Sequence, residues 1–430
     1  MGSFADKFLF LRYIKNNKLQ TITERVSPTL QKIEKPQRGG QAIVEPFIPS
    51  GPQGWSYSLS AASVVSDQTN YGASNYETWT SPFGEYWGSA KVSARAVSGS
   101  KGNEDAFLQQ LTETMDASLK SFGAVAATKL FAPVGNNIGR ISDLDEGGGA
   151  GEIQLTIRGD AFNFAPGMIL QAATGTGAGT PGTVRAGLGY VYSVTPDADV
   201  TGTSTTGAHV WVATSAGSTT SGGPSGWADN DYLFRNGDVL ASTDLSDKQI
   251  RSLQGWITLT ASSSAYLGVT RSVHAGASGF RVAAGDVAGL SIKERCELLI
   301  NVGRSDYGAN EVDTLVMGPR TWMQLSQEIQ DFGWTTFASK MEVGAGELVI
   351  ITANGAIRVL NEPHCKESDI WAFTMPLLKI YNYNGFPGPR DEDGLKMLRN
   401  GTNYEVQWQA FNSVTVGGQP QMHGRCSSGN

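Results

Sequence analysis

Residues 289–325, GLSIKERCELLINVGRSDYGANEVDTLVMGPRTWMQL, spell out a helix, a strand and a second helix in one run. Ser291 and Glu294 stand three apart ahead of an apolar series, the spacing of a capping box in which each side chain answers the other residue's backbone N–H. Ile292, Cys296, Leu299 and Ile300 recur every three or four residues and predict one buried face, with Gly303 as the stop. Thr314–Met317 has the length and composition of a strand. Gly318-Pro319 opens the next helix, because proline is pre-set for a first helical position, and Trp322, Leu325 and Ile329 turn inward from it.

Downstream, residues 348–351, 357–360, 370–373 and 377–381 read as short strands, and 404–410 alternates with period two as a longer one. Residues 417–430 read as a tail. Upstream, Phe107, Leu111, Met115, Leu119, Phe122, Ala126 and Leu130 form one stripe over 104–132. Asn103 is a fitting N-cap, Glu104 and Asp105 complement the helix dipole, and Pro133 ends the run. At 1.5 Å per residue such a helix spans about 40 Å and needs a long surface to lie on.

Between this helix and the α/β module, from Gly147 to about Asp238, the composition turns to Gly, Thr, Ser and Ala with no lysine. Ile153, Leu155 and Ile157 alternate with polar residues, and 190–194, 209–213 and 232–234 are further short strands between glycine-rich turns. An inserted β domain is expected there. From Gly39 to Gly102 the chain is aromatic, small and poor in charge, with prolines at 46, 49, 52 and 82. Ala90, Val92, Ala94 and Ala96 alternate as in a half-exposed strand, and a long projecting hairpin would read this way. Phe4, Phe8, Leu11 and Ile14 predict a short amphipathic helix over 3–19.

The chain is 430 residues long, enough for two or three packed units, and 40% hydrophobic against 17% charged residues marks it as globular rather than disordered. Residues 1–40 hold eight basic against three acidic side chains, a net +5 within a chain of −7, so a basic arm joins an acidic body. Such an arm suits nucleic acid or an acidic partner, and equally a solvated helix face. No run reaches the roughly 18 apolar residues of a bilayer span, and the amino terminus lacks an apolar core with a cleavage site. A protein that is neither exported nor lipid-anchored is expected. Cys296, Cys365 and Cys426 are odd in number and far apart, which fits buried thiols in a reducing compartment rather than a disulfide framework.

No catalytic, cofactor or metal constellation is expected. Gly177–Gly182 matches G-x-G-x-x-G, but Thr183–Val194 reads as strand where the phosphate-binding helix should begin. His209, His274, His364 and His423 are isolated, and His364 beside Cys365 has no finger spacing. Asp391, Glu392 and Asp393 lie in a Gly-Pro loop without the ligand spacing of a calcium site.

Taken in order, these parts resemble the major capsid proteins of tailed bacteriophages. The stretches that carry the resemblance are LQGWITLTASSSAYLGVTRSVHAG (253–276), with its aromatic, Gly and Arg, and the 289–325 run with M-x-P-x-x-W. The resemblance implies an α+β, Hong Kong 97-like phage capsid fold with an inserted β-rich domain. Its parts map by position: amino-terminal arm 1–44, extended loop 45–100, peripheral domain with the spine helix 101–146, and inserted domain 147–240. Residues 241–284 return to the peripheral domain, 285–365 form the axial domain, and 366–430 supply peripheral strands and a tail.

The function so implied is a structural, non-enzymatic shell subunit, assembled in the host cytoplasm into hexamers and pentamers of the virion. Portal, scaffolding and decoration proteins are expected partners, with sequence-independent contact to packaged double-stranded DNA and none to membrane. Lys7, Arg12, Lys15 and Lys18 would face the lumen, and Trp55, Tyr57, Trp79, Tyr86 and Trp87 would anchor neighbouring subunits. Relatives that weld their shells use a loop lysine, yet residues 45–90 contain none, so no such link is expected. The region before the loop is too short for a fused scaffold, and no long propeptide is expected. An encapsulin-type nanocompartment shell and a cell-surface β-rich binding protein are the alternatives.

Overall fold

The computed structural model describes residues 22–48, 76–93, 104–132, 137–144, 152–156, 158–174, 183–195, 208–218, 224, 226–238, 251–260, 265–331, 347–352, 355–383, 385–389, 398–400 and 403–427. The predicted helix at 3–19, the G-x-G-x-x-G stretch, Asn103, Ile157 and the 391–393 acidic cluster lie outside the described residues.

The first elements lash the amino-terminal side onto the body. Helix α1 (Pro28–Lys32) starts at Ser27, whose hydroxyl accepts the N–H of Leu30. Strands β1 (Ala42–Phe47) and β2 (Glu77–Pro82) form an antiparallel two-stranded hairpin. Strand β3 (Gly84–Ser93) follows and leaves this hairpin, pairing elsewhere. Helix α2 (Glu104–Phe131) is the predicted spine, with Met115, Leu119, Phe122, Ala126 and Leu130 buried along one stripe.

Six strands then close into an antiparallel barrel: β4 (Gly139–Leu144), β5 (Glu152–Leu155), β6 (Ile169–Ala173), β7 (Gly189–Thr195), β8 (His209–Ala213) and β9 (Tyr232–Arg235). Around the barrel the order is β4-β5-β8-β7-β6-β9, with β9 pairing back on β4. The barrel starts at Gly139, ahead of the composition shift at Gly147. Its interior is apolar, from Ile141, Ile153, Leu170, Val210, Val212 and Leu233, and these alternate with outward residues as the strand pleat requires.

After a short helix, α3 (Leu253–Trp256), come the small strands β10 (Ala265–Tyr266) and β11 (Val269–Thr270), then β12 (Phe280–Val282). Helix α4 (Ile292–Tyr307) carries the predicted capping box, Ser291 and Glu294 answering each other. It runs past the expected stop. Gly303 lies inside the helix, where a Cβ would stand 2.9 Å from the Phe280 ring, and the αL residue that ends the helix is Gly308. Gly303 is therefore small for packing, which the sequence pattern reads the same way as a cap.

Strand β13 (Thr314–Met317), helix α5 (Pro319–Asp331) and strands β14 (Glu347–Thr352), β15 (Gly355–Asn361) and β16 (Asp369–Phe373) continue the module. The chain ends with β17 (Lys379–Asn382), the short β18 (Gly388–Pro389) and β19 (Leu398–Asn400), the long β20 (Asn403–Thr415) and β21 (Gly424–Ser427). Two sheets result. One has the order β12-β21-β16-β13-β15-β14; the other is built on β20, which pairs with β3, β17, β18 and β19.

The expected tail is corrected here. Strand β21 is buried at all four residues and sits between β12 and β16, with Cys426 in the core. Its residues are small and mixed, so no periodicity announces a strand, yet Gly424 lets Phe280 lie against its backbone. The six-stranded sheet thus draws on 280–282, 369–373 and 424–427 as well as on the 285–365 region. Alternation divides its two faces. Leu315, Met317, Ile370 and Ala372 pack under α4 and α5, while Val316, Trp371 and Phe373 face the core shared with α2.

Candidate assembly site

One aromatic cluster ties β1 and β2 to the rest of the chain. On β1 and β2, alternation turns Ile43, Glu45 and Phe47, with Trp79 and Ser81, toward the body. The rings of Trp79 and Trp256 lie 5.0 Å apart and those of Trp256 and Tyr266 5.6 Å apart, both edge to face, a favoured arrangement for ring quadrupoles. Phe47 adds a contact to Trp79 at 5.5 Å. The indole N–H of Trp79 donates to the carbonyl of Gly418 across 3.2 Å.

Arg271 caps the cluster with its guanidinium 4.1 Å from the centre of the Tyr266 ring, while donating to the carbonyls of Gly255 and Trp256. Burial lowers its pKa to about 10. Tyr266 and Arg271, with Gly268 between them, are the aromatic, Gly and Arg of the 253–276 stretch, and Gly255 and Trp256 come from its other end. The structure makes them the socket of the hairpin.

Two buried carboxylates fasten these elements, Glu45 the hairpin and Glu362 the amino-terminal segment. Glu45 faces inward from β1 and accepts a hydrogen bond from the Thr415 hydroxyl at 3.1 Å; burial raises its pKa. Glu362 accepts from the Ser27 hydroxyl at 2.5 Å and from the N–H of Thr29 at 3.1 Å, and burial raises its pKa too. Lys35 pairs with Glu24 at 2.9 Å and donates to the carbonyls of Leu30 and Ile33. The Lys35 bonds brace residues 24–35 internally, while Ser27 and Thr29 at Glu362, with the Ile380 N–H donating to the Glu34 carbonyl at 2.9 Å, strap the segment to the body. Neither carboxylate is legible as a clasp in the sequence: Glu45 sits within a strand and Glu362 just after one, between Asn361 and Pro363, where an acid reads as solvent-facing.

The expected anchor residues divide. Lys7, Arg12, Lys15, Lys18, Trp55 and Tyr57 lie outside the described residues. Trp79 is only 1% exposed and is spent on the chain's own core, so it cannot bind a neighbour. Tyr86 is half-buried: its ring packs on Phe122 at 5.1 Å, with the Lys129 ammonium 4.7 Å from its centre. Trp87 points the other way, because successive residues of β3 face opposite sides of the sheet, and it is 47% exposed. Beside it stand Phe411 at 5.7 Å and, from Phe411 at 6.3 Å, Tyr383, which is 52% exposed. Sequence reasoning missed Tyr383 and Phe411, which reach Trp87 only through the β3–β20 and β17–β20 pairings. The result is an aromatic patch on the sheet face opposite the spine helix.

Burial pushes all three thiols up, Cys426 to about 11, which holds them as inert SH groups. Among the described residues no three metal-ligating side chains converge, and no helix is long and apolar enough to cross a membrane.

No family model matches the chain, and no curated protein matches it. Among solved structures it is similar to the capsid asymmetric unit of cyanophage A-1(L), at 8% identity and a TM-score of 0.46 over 93% of this chain and 92% of that one. A virus-like particle from Pyrococcus furiosus is similar at 7% identity and a TM-score of 0.39, over 96% and 98% of the two chains. A Mycobacterium phage Ogopogo chain is similar at 10% identity and a TM-score of 0.39, over 95% and 92%. These TM-scores mark a loose likeness, and the chain's own elements carry the reading that follows.

Proposed function

We propose that the chain is the major subunit of an icosahedral head shell, self-assembling into hexamers and pentamers around the double-stranded DNA of a tailed phage. The observation that carries this reading is the order of parts around one socket. A strapped amino-terminal segment, a rooted hairpin, a 28-residue spine helix, an inserted barrel and a two-helix sheet module follow one another as the family resemblance implies. A closed shell multiplies modest contacts by symmetry, so its subunits carry extended elements and bare apolar faces rather than a catalytic cleft.

Trp87, Tyr383 and Phe411 are the inter-subunit anchors of this proposal, in place of Trp79 and Tyr86; Trp55 and Tyr57 complete them from the loop. Lys7, Arg12, Lys15 and Lys18 face the lumen, where they meet DNA phosphates or a scaffold without reading sequence. Portal, scaffolding and decoration proteins are the further partners, and assembly takes place in the host cytoplasm.

The test is negative-stain electron microscopy with size-exclusion mass, on the chain expressed alone and with a candidate scaffold. Closed shells or rings of five and six are expected. A compact monomer of 45.7 kDa under both conditions would overturn the reading. The same particles boiled in detergent should run as single chains, since residues 45–90 hold no lysine for a covalent weld.

A further inference from the structure

The barrel and the body have separate apolar cores: Ile138, Ile153, Leu170 and Leu233 belong to one, Phe131, Trp256 and Trp371 to the other. Between them polar side chains meet beside Phe131, Ala132, Ile138 and Cys365. At the carboxyl end of α2 a cavity of about 10 Å³, room for one water molecule, is lined by Thr128, Asn137, Asp160, Asn163, His364 and Lys366. Asp160 is 5% exposed, and Asn137, at 6%, aims an unpartnered amide N–H into the same seam. Asn163 ties the barrel wall to itself by donating to Ile138 at 2.9 Å, and Thr128 meets His364 at 3.2 Å. A second fastening flanks the first, where Lys129 pairs with Asp238 at 3.1 Å.

We propose that this seam is a proton-controlled latch, closed tightly on the body when Asp160 is neutral and loosened, freeing the barrel to tilt on the spine helix, when Asp160 is ionised. The charges facing Asp160 come from the 364–369 segment. Lys366 opposes its charge, while Asp369 and Glu367 add to it, the first already held by Arg425 at 2.6 Å and the second by Arg320 at 3.8 Å. His364 brings no charge near neutrality, because burial and the nearby Arg235 push it down to about 4. From α2 the neighbouring charge is Lys129, which is engaged with Asp238.

Burial dominates this balance and raises Asp160 to about 6. The sign follows. A carboxylate whose value is raised in the closed state favours that state below its ordinary range, and the preference is lost as pH rises through 6. Acid therefore tightens this seam, where carboxylates held by cations would weaken it. If the open seam returns Asp160 to its ordinary value near 3.8, the closed-to-open ratio changes by about 100-fold across the window.

The test is hydrogen exchange of the full chain, followed by mass spectrometry at pH 4.5 to 7.5 and corrected for intrinsic rates, in wild type and Asp160→Asn. In wild type, peptides covering 125–132 and 158–164 should be protected about 10-fold more at pH 5 than at pH 7.5, the part of the linkage that falls between those two pH values. Asparagine, neutral at every pH, should hold both peptides protected throughout. A flat wild-type profile, or the same pH dependence in Asp160→Asn, would overturn the proposal. Should the variant fail to fold, the titration of the Asp160 carboxyl by carbon NMR in wild type decides it: a midpoint near 6 that coincides with the protection change supports the latch, and a midpoint near 4 rejects it.

Discussion

The indole N–H of Trp256 donates to the carbonyl oxygen of Val414 across 2.9 Å, joining positions 158 apart in sequence. Trp256 lies in α3 and Val414 near the end of β20, so this bond pins the aromatic socket to the sheet that carries the bare patch. Replacing Trp256 with alanine removes a fully buried ring and leaves that carbonyl unpaired. A loss of about 3–5 kcal/mol is expected by denaturant unfolding. Trp256→Phe should fall between the two, and a cost below about 1 kcal/mol for alanine would show that the socket is not part of the core.

Glu362 gathers the strap. Glu362→Ala leaves the Ser27 hydroxyl and the Thr29 N–H without their acceptor, at a cost of about 1–3 kcal/mol. The loss is local. Limited proteolysis should cut within 22–38 first in the variant, while the barrel and the sheet module stay intact; unchanged cleavage order would argue that the apolar contacts of Leu30 and Ile33 hold the strap unaided.

His423 sets an acid limit on the body. It is fully buried, accepts the N–H of Thr374 at 3.3 Å on Nδ1, and burial pushes its pKa from 6.5 to about 4. A depressed histidine contributes stability above its ordinary value and loses it as pH falls through the folded one, so the window is pH 6.5 down to 4. About 3 kcal/mol is the upper bound from this group. His423→Gln should flatten stability across that window, read by thermal unfolding at stepped pH. Asp160 acts in the opposite sense over an overlapping range, which is why single variants rather than the wild-type curve separate them.

Asp369 and Arg425 form a buried pair at 2.6 Å on adjacent strands β16 and β21, with the guanidinium 4.8 Å from the centre of the Trp371 ring. Asp369→Ala strands a buried cation and should cost about 3–5 kcal/mol. Replacing both residues with apolar ones of similar size should cost far less, because no charge is then left alone; equal losses in the single and double variants would contradict this.

Gly424 tests the corrected carboxyl end. A Cβ there would stand 1.9 Å from the Phe280 ring, so Gly424→Ala should destabilise by about 1–3 kcal/mol through forced repacking. A flexible tail would tolerate alanine without change in midpoint.

Elements with local causes were legible from the residues alone. The spine helix follows from a stripe of Met115, Leu119, Phe122, Ala126 and Leu130; α4 follows from its capping box, and β20 from its alternation. Short apolar strands between turns, such as 209–213 and 232–234, were also legible. Tertiary structure alone decided which of these meet. Closure of six strands into a barrel depends on pairing β9 back to β4, a long-range choice that no window of sequence encodes. The same holds for β3, which leaves its neighbour β2 for β20. It holds again for β21, whose Gly-Arg-Cys-Ser carries no period and becomes a central strand because Phe280 and Asp369 complement it. Burial was the least legible property. Trp79 and Trp87 have the same side chain, and one is core while the other is surface because the socket lies on one side of the strands. Glu45, Asp160 and Glu362 read as ordinary surface acids, and only the folded chain, by removing water from around them, makes them clasps and a latch.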